Sequence, residues 1–306
     1  MGSFSDYAAA FGSNPGFLNW ASFAPLSASV LSEVAADAEM LSTGRPAAFT
    51  LSRERIQEAR GLVAELLGAP ARLDDVTLQP STTHGLMHAF YGLRGTVLAS
   101  PAEFPSVSHT LDRAAKASAG GLTPRWIEPA HTFVTPEAVA EALDDEVTAL
   151  AVSHVDFRTG YRTDLAALRD VLGPDRLLIV DAAQSFGVVD ADYLVADVVA
   201  GHGYKWLRAG RGTGFAWFSA RARERIEPVL SGFGGVEGGE LVLDEIAPPA
   251  ASAQAYTVNF PDSLAVARLA TALRDVRDAG VPAIEEAIRA TWTRSSRSPH
   301  GTACPC

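Results

Sequence analysis

Three short apolar runs between Leu177 and Ser219 constrain the fold more than any other part of the sequence. The runs are Leu177–Val180, Val198–Ala200 and Phe215–Phe218. Short apolar runs without polar alternation are typical of strands buried on both faces of a sheet. Asp181 directly follows the first run and Lys205 comes soon after the second. Open α/β sheets bind their ligands at the carboxyl ends of strands. We therefore predict an α/β fold with an acid and a lysine at neighbouring strand ends.

A lysine and an aspartate in this arrangement indicate one kind of chemistry. A lysine amine forms a Schiff base with an aldehyde cofactor, of which pyridoxal phosphate is the common one. A buried carboxylate keeps the pyridine nitrogen of that cofactor protonated, because opposite charges in a low dielectric raise the pKa of a base. Each residue alone is more often structural, since strand-end aspartates cap helices and single lysines are usually solvated.

The whole stretch resembles the class V aminotransferase family, which has the type I fold of pyridoxal phosphate enzymes. The motif is Asp181-Ala-Ala-Gln184, then His202-Gly-Tyr204-Lys205, and then the glycine-rich loop Ala209–Gly214. The resemblance implies Lys205 as the Schiff-base lysine, Asp181 as the partner of the pyridinium and Gln184 as a donor to the phenolic oxygen of the cofactor. It also implies that His202 and Tyr204 contact the cofactor phosphate.

Two further segments match the family. Ser81, Thr82 and Thr83 stand between a predicted strand and a predicted helix, where hydroxyls and free N–H groups make an anion site. Taken alone, these residues are more simply explained by helix capping, but the segment resembles the phosphate cup of the family, which favours a role in phosphate binding. Phe104 follows the next predicted strand, at the position from which the family stacks a ring on the pyridine face. A flat apolar ring there would shield the cofactor from water.

Two residues are weaker candidates for substrate contacts. Asn19 lies in a segment that resembles the N-terminal part of the family, which passes the substrate side of the active site, although an ordinary packed arm would look the same. Arg158 lies in Ser153–Tyr161, a segment most similar to bacterial kynureninases, and could meet a substrate carboxylate or form a structural ion pair. Phe157 stands where desulfurases have Asn and kynureninases Tyr, and because Phe cannot donate a hydrogen bond, the resemblance does not carry that cofactor contact over to this chain.

Composition limits the partners and the compartment. The formal net charge is -11, from 25 basic and 36 acidic residues, which argues against nucleic acid and anionic membranes as partners. The two cysteines, Cys304 and Cys306, stand at the end of the chain, so we predict neither a disulfide framework nor a metal site. No apolar run approaches membrane-spanning length and no secretory signal is visible. We therefore expect a cytoplasmic protein.

The predicted architecture is a large, mixed and mainly parallel sheet flanked by helices, with a curtailed small C-terminal domain. We expect an N-terminal arm over residues 1–50, a large cofactor-binding domain over 51–230, an interface loop and partial C-terminal domain over 231–293, and a disordered tail over 294–306. Within the large domain, periodicity predicts a helix over Ser52–Leu67 capped by Ser52, and a strand over Arg125–Glu128. In this fold the active site lies between two subunits, so the resemblance implies a homodimer whose interface includes Ala209–Gly214 and Ser231–Gly239.

The predicted function is a pyridoxal phosphate enzyme acting on an amino acid by transaminase or lyase chemistry. Kynureninase-like cleavage, C–S cleavage and a catalytically impaired member of the fold are the alternatives. A desulfurase is disfavoured, because it needs a nucleophilic cysteine and both cysteines lie in the tail. A nucleotide-binding Rossmann protein is disfavoured too, since no Gly-x-Gly-x-x-Gly follows the first strand.

Overall fold

A seven-stranded sheet forms the centre of the protein in a computed structural model that describes residues 4–70, 72–128, 132–239 and 243–296. Its strands, in chain order, are β1 (Val76–Gln79), β2 (Gly95–Ala99), β3 (Leu122–Trp126), β4 (Val147–Ser153), β5 (Leu177–Asp181), β6 (Val198–His202) and β7 (Gly214–Phe218). They lie in the order β1-β7-β6-β5-β4-β2-β3 across the sheet.

All strands except β7 run in the same direction. β7 pairs antiparallel with both β1 and β6, whereas the pairs from β6 across to β3 are parallel. The carboxyl ends of β1, β2, β4, β5 and β6 therefore meet at one edge of the sheet. The predicted fold class, a mixed and mainly parallel sheet flanked by helices, is confirmed.

Helices cover both faces of the sheet. They are α1 (Phe4–Ala9), α2 (Ala28–Ser42), α3 (Pro46–Leu66), α4 (Thr82–Gly92), α5 (Pro105–Ala117), α6 (Pro136–Ala142), α7 (Leu165–Leu172), α8 (Ala220–Arg225), α9 (Ser263–Ala279) and α10 (Val281–Ser296). Alternate residues of each strand point to opposite faces. Leu178 and Val199 join α3, α7 and α9 in one apolar core, whereas Ile179 and Val198 join α4 and α5 in the other.

Three local predictions were inaccurate. The helix predicted from Ser52 begins six residues earlier, at Pro46, and Arg45 rather than Ser52 stands at its N-cap. It thus crosses the predicted boundary between arm and large domain. The strand predicted over Arg125–Glu128 is β3, which starts at Leu122 and includes Pro124. β3 lies at the edge of the sheet, where a proline costs no ladder hydrogen bond if its ring faces away from the neighbouring strand.

The two ends of the described chain pack against this core. Helix α2, in the predicted arm, begins at the N-cap Ser27, whose hydroxyl accepts from Val30 N at 3.2 Å, and packs on α3 and α9. Helix α10 reaches Ser296, and residues 297–306 of the predicted tail lie outside the described residues. No helix within the described ranges is long and apolar enough to cross a membrane.

Candidate active site

A cavity opens at the edge of the sheet where the carboxyl ends of the parallel strands meet. It is lined by all nine residues that the sequence assigned to cofactor binding, together with five others: Ser81, Thr82, Thr83, Phe104, Ser106, Ser153, Val155, Phe157, Asp181, Ala183, Gln184, His202, Tyr204 and Lys205. The lining comes from the ends of β4, β5 and β6 and from the first turns of α4 and α5. The topology thus brings residues far apart in sequence to one place.

Lys205 and Asp181 form the charged part of this cavity. Both are buried, with 6% and 4% of their surface exposed. Burial lowers the pKa of the Lys205 amine, and the negative charge of Asp181 partly opposes that shift. Burial raises the pKa of Asp181 to about 6, while a hydrogen bond from Ala183 N at 2.8 Å and the charge of Lys205 work in the other direction. The amine and the carboxyl therefore influence each other's charge across the cavity.

Thr82 and His202 meet on the side where α4 begins. Their Oγ1 and Nδ1 atoms are 2.6 Å apart, and both residues are buried. Burial, helped by the charges of Lys205 and Arg211, lowers the pKa of His202 to about 3, so the ring is neutral at neutral pH. Its Nε2 is buried without a hydrogen-bond partner in the described part of the protein. The ring of Tyr204 stacks on that of His202 at 3.7 Å.

The other hydroxyls of the predicted phosphate cup also line the cavity. Ser81 caps α4 and accepts from His84 N at 3.4 Å, so the capping that would explain Ser81 without a ligand does occur. Thr83 Oγ1 lies 2.7 Å from Ser106 Oγ, at the start of α5. Ser106 was not predicted. Its only sequence signal was its place in the first turn of a helix that follows a strand end.

Two phenylalanines form the apolar wall. The ring of Phe104 meets that of Phe157 edge to face at 5.1 Å, and Lys205 Nζ lies 5.4 Å from the centroid of Phe104. Phe104 stands at the N-cap of α5, where Pro105 fixes the first helical residue. Phe157, which stands where the resembling families have a hydrogen-bonding Asn or Tyr, thus makes an apolar contact with Phe104 here.

Gln184 connects the cavity to the N-terminal segment. Its Nε2 donates to Ala21 O at 3.0 Å, and its Oε1 accepts from Trp206 Nε1 at 2.9 Å. Ala24 N also donates to Tyr204 O at 2.9 Å. These bonds hold residues 21–24 against the cavity. The second N–H of the Gln184 amide has no acceptor among the described residues and is available to a ligand.

The two weaker substrate candidates do not line the cavity. Asn19 is exposed, and its carbonyl accepts from Ser22 N and Phe23 N in a turn. Arg158 is exposed as well; its guanidinium lies over the ring of Phe157 at 4.6 Å and donates to Ala102 O at 2.8 Å. No ion pair of Arg158 appears within the described ranges.

Glu103 is a buried acid beside the cavity that the sequence reasoning missed. Ser153 donates to it twice, from its backbone N at 3.1 Å and its hydroxyl at 2.5 Å. Burial raises the pKa of Glu103 to about 7; the bonds from Ser153 oppose this, and the charges of Asp181 and Asp156 add to it. Ser153 pairs with Asp181 in the sheet register. A polar residue closing an apolar strand was the signal that could have identified Ser153.

A comparison with protein families identifies one match, to the family described as aminotransferase class-V, over residues 38–294. Among curated proteins, cysteine desulfurase IscS of Pseudomonas aeruginosa is 27% identical over 263 residues. The alignment covers 81% of this chain and 63% of that protein. The chain therefore spans less than two thirds of the length of this relative.

Solved structures resemble the fold at lower identity. The cystine C-S lyase C-DES, in complex with its reaction product cysteine persulfide, has a TM-score of 0.81 at 21% identity, covering 92% of this chain and 78% of that one. The cysteine desulfurase CsdA of Escherichia coli has a TM-score of 0.79 at 20% identity, covering 98% and 79%. At this identity the two structures establish a shared fold.

Proposed function

Because the chain belongs to the aminotransferase class V family, we propose that it is a pyridoxal phosphate enzyme that acts on an amino acid. The observation that carries this proposal is the convergence of nine predicted cofactor residues on one cavity. Among them, Lys205 and Asp181 are buried at neighbouring strand ends. When bound, the cofactor supplies an electron sink for bonds broken at the α-carbon of an amino acid.

The cavity fits this cofactor in three respects. The buried Nε2 of His202, unpartnered within the described ranges, is available to a phosphate oxygen beside the N-terminus of α4. Asp181 is a buried acid, which is costly to ionise unless it meets a cation, and a protonated pyridine nitrogen is such a cation. Lys205 is a buried amine with a lowered pKa, which favours the nucleophilic neutral form.

Lys205 and Asp181 then have distinct tasks. The amine of Lys205 would bind the aldehyde group of the cofactor and would serve as the base for the proton on the substrate α-carbon. Asp181 would hold a proton on the ring nitrogen of the cofactor. Phe104 and Phe157 form an apolar wall of the cavity, and an apolar wall lowers the local dielectric and strengthens the electrostatic interaction between Lys205 and Asp181.

Among amino acids, we propose one with a sulfur substituent on its β-carbon, such as cysteine or cystine. The relatives and neighbours that support this substrate are named cysteine desulfurase and cystine C-S lyase. Elimination of a β-sulfur group needs a base at the α-carbon and no protein thiol. Sulfur transfer to the protein would need a cysteine, and Cys304 and Cys306 lie outside the described residues.

A pair of lysine variants tests this proposal. The chain has two lysines, Lys205 and Lys116. Lys116 is an exposed residue of α5 paired with Asp112 at 2.8 Å, so it serves as a matched control. With cofactor and cystine or cysteine supplied, Lys205→Ala should lose at least 100-fold in release of sulfur product, because a positioned base contributes about 10²–10⁴-fold. Lys116→Ala should release product like the wild type.

Two results would contradict the proposal. Equal rates in Lys205→Ala and the wild type would remove Lys205 from the chemistry. A wild type that binds the cofactor but converts only sulfur-free amino acids would contradict the substrate class while leaving the cofactor assignment intact.

A further inference from the structure

Arg211 differs from the other arginines around the cavity because its guanidinium makes no hydrogen bond or ion pair with any residue that the structure describes. Its neighbours are bonded. Arg208 donates to Pro25 O at 3.2 Å and Ala10 O at 3.1 Å, and Arg158 donates to Ala102 O. An always-charged group with five donors is thus available beside the cavity.

Two aromatic rings fix the position of this guanidinium. It lies 5.0 Å from the ring centroid of Tyr204, which lines the cavity, and 5.5 Å from that of Phe23, which stacks on Tyr204. A guanidinium over an aromatic face is held by cation–π attraction without using its donors. Arg211 is thus an exposed residue packed on Tyr204, a lining residue of the cavity, and its N–H groups bond to no residue within the described ranges.

The backbone under Arg211 is held in place. Gly210 and Gly212 have φ values of 77° and 82°, which only glycine adopts readily, so the loop turns sharply on both sides of Arg211. Arg268 of α9 donates to Ala209 O at 2.9 Å and to Arg211 O at 2.8 Å. A rigid backbone that carries a free side chain is the arrangement expected of a binding residue.

The charge of Arg211 also reaches the floor of the cavity. Burial is the main cause of the lowered pKa of the His202 ring, and the positive charges of Lys205 and Arg211 lower it further. The same positive potential that disfavours a protonated His202 would attract an anion placed between His202 and Arg211. A lysine whose amine is bonded to an aldehyde cannot also contact an anion through that amine, whereas an arginine stays charged at any working pH and can.

We propose that Arg211 binds an anionic oxygen group at the mouth of the cavity, either the carboxylate of the amino acid substrate or the phosphate of the cofactor. Both anions match the planar, two-pronged donor geometry of a guanidinium. This proposal rests on the proposed function, since that function supplies both anions. It gives Arg211, rather than the partly engaged Arg158, the role of anion contact.

Spectral titrations of the purified protein separate the two sources. Two binding preferences are measured: that for pyridoxal phosphate over pyridoxal, and that for an amino acid over its carboxamide. Arg211→Gln should weaken one of them by about 10–150-fold, since a hydrogen bond to a charged group contributes roughly 1.5–3 kcal/mol. A loss for pyridoxal phosphate but not for pyridoxal assigns the phosphate. A loss for a non-reacting amino acid but not for its carboxamide, at saturating cofactor, assigns the carboxylate. Arg211→Lys should recover part of either loss.

The controls decide the remaining outcomes. Arg53→Gln removes a positive charge from the exposed face of α3 and should change neither preference. If Arg211→Gln binds all four ligands like the wild type, or if the loss appears in Arg158→Gln instead, the proposal for Arg211 is wrong. If the wild type itself takes up no pyridoxal phosphate, the proposed function fails first, and the two failures are therefore distinguishable.

Discussion

At the scale of single residues, Asp181 and Glu103 are two buried acids at the cavity, and the ionisation of one makes ionisation of the other less favourable. Glu103 and Asp181 are both buried, and the charge of Asp181 contributes to the raised pKa of Glu103. Because the pKa of Glu103 is about 7 and that of Asp181 about 6, Asp181 ionises first as the pH rises. Below pH 7 Glu103 is therefore mostly neutral, whereas above pH 6 Asp181 mostly carries the charge that a cationic ring requires.

This arrangement predicts a pH-dependent stability. The folded protein holds a proton on Glu103 up to a pH of about 7, whereas an unfolded chain releases it near the ordinary value of 4.5. The contribution of Glu103 to the free energy of unfolding should therefore fall as the pH rises from about 4.5 to about 7. Glu103→Gln removes this term, and one pKa unit corresponds to about 1.4 kcal/mol. Relative to the wild type, the variant should gain about 1–3 kcal/mol between pH 5 and 7.5 in urea unfolding of the cofactor-free protein.

An exposed acid provides the control for Glu103. Glu65→Gln, on the surface of α3, should follow the wild-type dependence on pH. A Glu103→Gln variant whose stability changes with pH as steeply as that of the wild type would show that Glu103 releases its proton alike in the folded and unfolded chain.

The pattern of strand ends and motif residues predicted more of the candidate site than any of its residues predicts when taken alone. Two features of the sequence predicted that Lys205, Asp181 and the hydroxyls of Ser81–Thr83 lie together. The carboxyl ends of parallel strands share one edge of a sheet, and the family motif gives these residues in a characteristic order along the chain. Glu103 and Arg211 could not be, since their importance depends on which groups lie nearby in space. An acid bonded to Ser153 and a guanidinium without an acceptor have the same local sequence as ordinary surface residues.

At the scale of helices and strands, the buried core of the sheet was predictable and its margins were not. β5 begins where the apolar run predicted it and is longer by one residue, because continuous apolar runs have few alternative placements. The start of α3 was misplaced, since Pro46 is a favourable first residue and the apolar stripe begins only later. Helix α2 was not predicted as a helix, although Ser27 followed by an apolar period gave a usable capping signal.

At the scale of the whole molecule, an exposed apolar cluster marks a surface that a second subunit could cover. Phe233 and Phe260 meet edge to face at 5.4 Å with about half of each side chain exposed, and Val258 and Val229 nearby are as exposed. We call these four residues the Phe233–Phe260 patch. It includes part of the predicted interface loop, so a second subunit would bury it.

We expect a homodimer that uses this patch. Light scattering should give a mass of about twice the chain, and Phe260→Asp should shift the equilibrium towards monomer, because it would bury a charge in an apolar contact. Leu194→Asp, which places a charge on a similarly exposed apolar residue in the β5–β6 connection, should leave the mass unchanged. A monomer at micromolar concentration, or a dimer insensitive to Phe260→Asp, would contradict this use of the patch.

The proposed role of Lys205 is tested by finding which lysine carries the cofactor. Borohydride reduction of the protein with pyridoxal phosphate, followed by peptide mapping, fixes the cofactor to the nitrogen that held it. If Lys205 holds the cofactor, the protein should be yellow and bleached by borohydride, with the pyridoxyl mass on the peptide that contains Lys205. A label on Lys116, or no label at all, would contradict it.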